Sequence, residues 1–348
     1  MSLDNSVDFK LDLSRAEGNI LVDRKITEAV VIDPDSIVSL PARDRYLQLK
    51  ESIARYYDFQ SEGVVIGNGS DELIDSIARE RGGGVSLTLV PTFERLFEVG
   101  AKFNYDSSSY PLRLSEGYQY TDTFHEDFIA KIRELSPDIV WLCSPDNPTG
   151  AVISVEQLAD IAGAAKDSWI VIDVAFADIV DEFLVSRYGA LTASHENIIV
   201  LNSFSKSWGL AGLRLGFVLA SKKIADLIAR HSVMFNVNVV ALDTAFLCLE
   251  SDGYKTVAFS NIKKNIAEIQ RGVDDMNKYQ IVMNTPLNLF CIRHRTKLNL
   301  HEELLKLGIK TKSLDKMPGM ENEGFCRILV PKSGADVEKL LQALALIS

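Results

Sequence analysis

Two residues in this chain of 348 carry the strongest chemical signal. Lys206 lies in Ser203-Phe204-Ser205-Lys206-Ser207-Trp208-Gly209, between the apolar run NIIVLN (197–202) and a glycine-containing loop. A lysine that is desolvated or near other cations has a lowered pKa, and its neutral amine forms a Schiff base with a carbonyl. A solvated surface position is the ordinary reading of any single lysine. Asp173 ends WIVI (169–172), which reads as a strand buried on both faces, so its carboxylate needs a partner. An N-cap or a structural hydrogen bond would meet that need as well as a ligand would.

A second set has the chemistry of an anion site. Gly67-Asn68-Gly69-Ser70-Asp71 follows the apolar run VVIG and opens a helix, whose free N–H groups and dipole attract an anion, the dipole by about 0.3–1 kcal/mol. Ser70 and Asp71 acting only as helix caps is the alternative. Ser203, Ser205 and Arg214 lie close to Lys206 in sequence, and arginine offers a planar fork suited to phosphate.

The elements that position these residues alternate strand-like apolar runs with helical patterns, which predicts an α/β fold with a largely parallel sheet between helices. The expected strands are VVIG (64–67), VSLTLV (85–90), DIVWLC (138–143), WIVIDV (169–174), NIIVLN (197–202) and LRLGFVLA (213–220). Helices are expected over 71–81, 92–101, 155–166 and 222–231. In open parallel sheets ligands bind beyond the carboxyl ends of the strands, where Asn68 to Glu72, Pro91 to Phe93, Ser144 to Gly150, Asp173 and Asn202 to Gly209 all fall. After about residue 236 the pattern changes to long helices (237–250, 254–278), strands near 288–292 and 325–330, and helices near 301–307 and from 335. That predicts a large domain over 41–236, a smaller α+β domain over 237–348, and an N-terminal arm, 1–40, joining the small domain.

Composition bounds the rest. The chain is 47% hydrophobic and 24% charged, with no apolar run near the 18 or so residues that span a bilayer, so neither a membrane nor an export signal is expected and the cytoplasm is the default. A net charge of -11 argues against a nucleic-acid partner. Cys143, Cys248, Cys291 and Cys326 form no CxxC pair and read as reduced core thiols, and the five histidines have no metal-ligand spacing.

GNGSDEL (67–73), SPDNPTG (144–150) and SFSKSWGLAGLRLG (203–216) together resemble the fold-type I pyridoxal-phosphate enzymes, within them the class I and II aminotransferases near histidinol-phosphate aminotransferase. The resemblance runs from about residue 10 to the C-terminus. It implies that Lys206 is the Schiff-base lysine, that Asp173 pairs with the pyridinium nitrogen, and that Asn147 donates to the ring's 3-oxygen. It further implies that Phe93 stacks on the ring, that Gly69, Ser70, Asp71, Ser203, Ser205 and Arg214 form the phosphate cup, and that Arg327 clamps the substrate's carboxylate. The partners it implies are a small amino donor, a 2-oxo acid acceptor and a second subunit.

The chain departs from that family at several points. Asp173-Val174-Ala175-Phe176 stands where DEAY is usual, so Phe176 replaces a tyrosine that donates to the 3-oxygen, which implies a raised pKa for the lysine–cofactor imine. Leu40-Pro41-Ala42 replaces a YPD segment, with Tyr46 nearby but out of register. Ala16-Glu17-Gly18-Asn19-Ile20 replaces NENPxG and leaves Asn19 as a candidate substrate contact. Lys312 stands where many relatives have a second arginine. Ala175 to Asp178, Gly18-Asn19 and Pro318-Gly319 also look like threonine-phosphate decarboxylase. The expected activity is transamination, with decarboxylation and an inactive cofactor-binding homologue as alternatives.

Overall fold

The computed structural model describes residues 10–20, 26, 28, 30, 38, 40, 41, 43–251 and 254–348. Ala42 and most of the expected arm lie outside the described residues. The described part of the arm carries β1 (Leu11–Asp12). Then follow β2 (Val64–Gly67), β3 (Gly84–Val90), β4 (Tyr105–Pro111), β5 (Ile139–Cys143), β6 (Trp169–Asp173), β7 (Ile198–Ser203) and β8 (Gly216–Ala220). These make a seven-stranded sheet in the order β2-β8-β7-β6-β5-β3-β4. Its central strands are unbroken apolar runs because helices cover both faces. On one face, helices Gly69–Arg81, Glu94–Lys102 and Lys222–Ala229 pack Leu73, Ile77, Leu96 and Ile228 against Trp141, Val171 and Ile199. On the other, Ile53, Phe124, Phe128, Leu158 and Val185 cover Leu87, Val140, Ile172 and Val200. Each such buried side chain contributes about 1.5–3 kcal/mol.

All neighbours in this sheet are parallel except β8, which runs antiparallel to both β2 and β7. The link from β7 to β8 is 204–215 and carries only a 3-10 turn, Ala211–Leu213, without the helix that a parallel crossover normally needs. Lys206 sits in that link. The register sets Cys143 beside Asp173, Asp173 beside Leu201, and Ser203 and Gly67 on either side of Gly216, so the candidate residues meet along one edge.

The remaining strands are β9 (Tyr279–Val282), β10 (Leu289–His294), β11 (Ile309–Lys310), β12 (Lys312–Ser313) and β13 (Cys326–Leu329). An antiparallel sheet, β12-β13-β10-β9, backs on helices Tyr254–Met276 and Gly334–Leu346, while β11 pairs with β1 in parallel. Leu13, Ala16 and Ile20 of the arm belong to this second core, as do Phe176 and Ile179 from the large sheet's side. Helix Val239–Leu249, expected in the smaller part, buries Ala241, Leu242, Ala245 and Cys248 in the same core as the large sheet, which Val282, Cys291 and Phe325 also join. The unforeseen β4 is polar (YDSSSYP) because an edge strand half open to solvent needs no apolar run.

Candidate functional site

One cavity at the carboxyl edge of the large sheet is lined by Ser70, Asp71, Phe93, Cys143, Asn147, Asp173, Ala175, Phe176, Ser203, Ser205, Lys206 and Arg214. All of the cofactor-site candidates except Gly69 line it directly. Gly69 stands just behind, at φ +76°, where an added Cβ would lie 2.6 Å from an Arg214 guanidinium nitrogen. Gly216 is equally constrained, since a Cβ there would lie 2.6 Å from the Ser70 backbone nitrogen. These two glycines let β8 and Arg214 close against the turn.

Helix Gly69–Arg81 has Asn68 at its N-cap with no side-chain cap bond. Ser70 and Asp71 do not cap it. Asp71 Oδ2 instead accepts from Arg214 Nη2 at 2.9 Å, and Arg214 Nη1 donates to Ser205 Oγ at 3.4 Å. Ser205 N–H donates to Ser203 Oγ at 3.0 Å, folding the loop so that both hydroxyls face the same space. Helix start, guanidinium and two hydroxyls together form a donor cradle of the kind a phosphate takes.

Asp173 is buried, and one of its oxygens accepts from Ala175 N–H at 2.9 Å. Burial raises its carboxyl to about 6, against the opposing pull of that hydrogen bond and of Lys206. A carboxylate so placed favours a protonated nitrogen as partner. Asn147 is held in the turn after β5, where Asp146 Oδ2 accepts from Thr149 N–H at 3.2 Å and Oγ at 2.7 Å. Burial pushes the Asp146 carboxyl up to about 7 despite those bonds. Phe93 ends the β3 loop and Phe176 packs from the second core.

Lys206 Nζ donates to Glu17 Oε2 at 2.7 Å. Burial lowers the Lys206 pKa below that of an ordinary lysine, and Glu17 opposes the shift. A second cavity adjoins the first and shares Phe93, Asn147 and Lys206 with it. Its other lining includes Arg15, Glu17, Glu94, Lys312 and Arg327. Arg327 Nη1 donates to Asn147 Oδ1 at 3.0 Å and Nη2 to the Ser14 carbonyl at 3.1 Å. Lys312 is paired with Glu94 at 2.8 Å.

Asn19 is not brought to either cavity. Its amide nitrogen donates to the carbonyls of Asn288 and Val330, and its oxygen accepts from Asn288, so the side chain ties the arm to the second sheet. Tyr46 is likewise engaged elsewhere, with the Val237 backbone. Glu17 was missed as a site residue. A lone acid in a short arm has no periodicity to mark it, and long-range pairing of the arm, such as β1 with β11, carries it to Lys206.

The donor set fits pyridoxal 5′-phosphate: a cradle for the phosphate, an acid for the ring nitrogen, an amide beside the ring and a lysine for the aldehyde. The sequence profile of the family Aminotransferase class I and II matches residues 14–344. A histidinol-phosphate aminotransferase of Archaeoglobus fulgidus is 29% identical over 337 residues, covering 96% of this chain and 92% of that protein. The solved histidinol-phosphate aminotransferase of Clostridium acetobutylicum superposes with a TM-score of 0.84 at 22% identity, covering 96% of this chain and 98% of that one. The L-threonine-O-3-phosphate decarboxylase of Porphyromonas gingivalis superposes at 0.80 with 19% identity and the same coverages. At those identities the two structures speak for the fold alone.

Proposed function

The chain belongs to the class I and II aminotransferase family, and within it we propose a transaminase that takes its amino group from an amino-alcohol phosphate or amino acid and passes it to a 2-oxo acid. It is a pyridoxal-5′-phosphate-dependent enzyme of the fold-type I architecture. The observation that carries the reading is the meeting of Lys206, Asp173 and the Gly69 helix start with Arg214 around a single cavity. The family match over residues 14–344 and the histidinol-phosphate aminotransferase relative favour transamination; the likeness to the decarboxylase is one of fold.

In this reading the cofactor, when bound, acts as an electron sink for the bonds of the donor's Cα. Lys206 would carry it, and Asp173 would hold its ring nitrogen protonated. Gly69, Ser70, Asp71, Ser203, Ser205 and Arg214 would fix the phosphate. Asn147 would donate to the ring oxygen with no tyrosine to help, Phe176 offering only an apolar wall, and Phe93 would cover one ring face. Arg327, with Lys312 nearby, would hold the donor's acidic group, and Lys206 Nζ would take the proton from its Cα.

The enzyme works in this proposal as a cytoplasmic homodimer. Exposed Val233, Met234 and Leu40 suit a protein partner, and the four buried cysteines suit a reducing compartment. No described helix is long and apolar enough to cross a membrane. The test is a donor panel of histidinol phosphate, glutamate, aspartate and threonine phosphate, each mixed with the cofactor-loaded enzyme and followed by mass spectrometry. The proposal expects a donor to become its oxo product as the cofactor becomes aminated. Release of carbon dioxide from threonine phosphate with no amino transfer would overturn it.

A further inference from the structure

Glu17 lies outside the residues proposed to bind cofactor or donor, yet its carboxylate accepts from the Lys206 amine. The contact is built rather than incidental. The arm is pinned on one side by Leu13, whose N–H donates to the Lys310 carbonyl at 2.8 Å, and whose carbonyl accepts from Leu329 N–H at 3.0 Å. On the other side it is pinned by the three Asn19 bonds to the second sheet. Between these anchors Glu17 Oε2 accepts from Ala16 N–H at 3.1 Å and from Lys206 Nζ at 2.7 Å. Both charges are largely withdrawn from water, with 31% and 20% of their side chains exposed.

We propose that Glu17 is a positioning residue for amines in this site: it holds the ammonium of Lys206 while that lysine is free, and receives the ammonium of the incoming donor once Lys206 is bonded to the cofactor. The groups facing the Lys206 amine are Glu17 from the arm, Asp173 from the end of β6 and Arg327 from β13. To bond an aldehyde carbon, the lysine first releases its proton to solvent, and condensation then expels one water. That exchange leaves the Glu17 carboxylate without its cation, facing the cavity that also holds Arg327. An amino donor supplies the missing charge, its acidic group going to Arg327 and its ammonium to Glu17. Burial alone would raise the Glu17 carboxyl; Lys206, the Ala16 bond and Arg327 turn it below the usual carboxylate range while the lysine amine is free.

The donor half rests on the transaminase reading and the lysine half does not, so the test has two arms. In the first, cofactor-free protein is labelled with an amine-directed acylating reagent from neutral to alkaline pH, and Lys206 is quantified by peptide mass spectrometry against exposed Lys222. Losing Glu17 lets burial lower the lysine pKa further, so Glu17→Gln labels Lys206 about tenfold faster at neutral pH. Glu17→Asp restores part of the protection, and Asn19→Ala, which loosens the arm but keeps the carboxylate, moves the rate the same way by less. In the second arm, Glu17→Gln raises KM for the donor about tenfold with kcat within about twofold, as loss of uniform binding requires. An unchanged Lys206 labelling profile overturns the ion pair as a positioning device. A fall in kcat with an unmoved KM overturns the donor role, whatever the labelling shows.

Discussion

The guanidinium of Arg327 donates to Oδ1 of Asn147 at 3.0 Å, joining β13 of the second sheet to the turn that follows β5 of the first. The residue proposed to read the donor's acid thus holds the residue proposed to touch the cofactor. With its oxygen occupied, Asn147 keeps its amide N–H groups as donors.

Arg327→Lys removes the planar fork that serves Asn147 and Ser14 together. A charge-assisted hydrogen bond contributes about 1.5–3 kcal/mol, so KM for the donor should rise on the order of 10–100-fold. The pH midpoint of the cofactor's visible absorbance should move in the same variant. Steady-state kinetics and an absorbance titration check both, and an unmoved midpoint would mean that the two residues act separately.

Asp173 titrates at about 6 because it is buried, above the ordinary 3.8. The folded state therefore holds this proton more tightly than the unfolded state, and the cofactor-free protein loses stability from Asp173 as pH rises between about 4 and 6, by up to about 3 kcal/mol. Asp173→Asn should flatten that part of the curve and stabilise the cofactor-free protein at neutral pH, while weakening cofactor binding at least tenfold or so. Urea unfolding as a function of pH, paired with cofactor titration, measures both. A variant with the wild-type slope would remove Asp173 as its source.

Gly69→Ala forces a Cβ to 2.6 Å from the Arg214 guanidinium at φ +76°. The strain costs about 1–2 kcal/mol, and the displaced arginine leaves the phosphate cradle. The dissociation constant for pyridoxal phosphate should rise by roughly tenfold or more, and inorganic phosphate should compete less well for the site. Equal phosphate competition in both proteins would place the phosphate elsewhere.

Phe176→Tyr restores a hydroxyl beside the cofactor cavity. If Asn147 is the lone donor to the ring oxygen in the wild type, the variant's visible band should titrate at a lower pH. A midpoint that stays put or rises would show that the hydroxyl does not reach the ring.

The parts of this molecule that its sequence reveals most directly are the buried ones. β2, β5, β6 and β7 are continuous apolar runs, and the polar residues at their ends gather where a parallel sheet puts them. β4 escaped because its solvent-facing serines carry no apolar alternation. Helix Asp122–Leu135 did have a signal, with Thr121 capping Phe124 N–H and Phe124, Phe128 and Ile132 spaced along one face. Glu17 and Asn19 illustrate the limit within the site. They are two residues apart on the same arm, and nothing local says that one reaches Lys206 while the other is tied to Asn288 and Val330.

Every role proposed for this site turns on Lys206 carrying the cofactor. Wild type and Lys206→Ala, each incubated with pyridoxal phosphate, reduced with borohydride and digested, report it directly by peptide mass. The reduced cofactor is expected on the peptide containing Lys206 in the wild type, with neither that adduct nor the wild-type visible band in the variant. The cofactor fixed to a different lysine, or an unchanged visible band in Lys206→Ala, would contradict it.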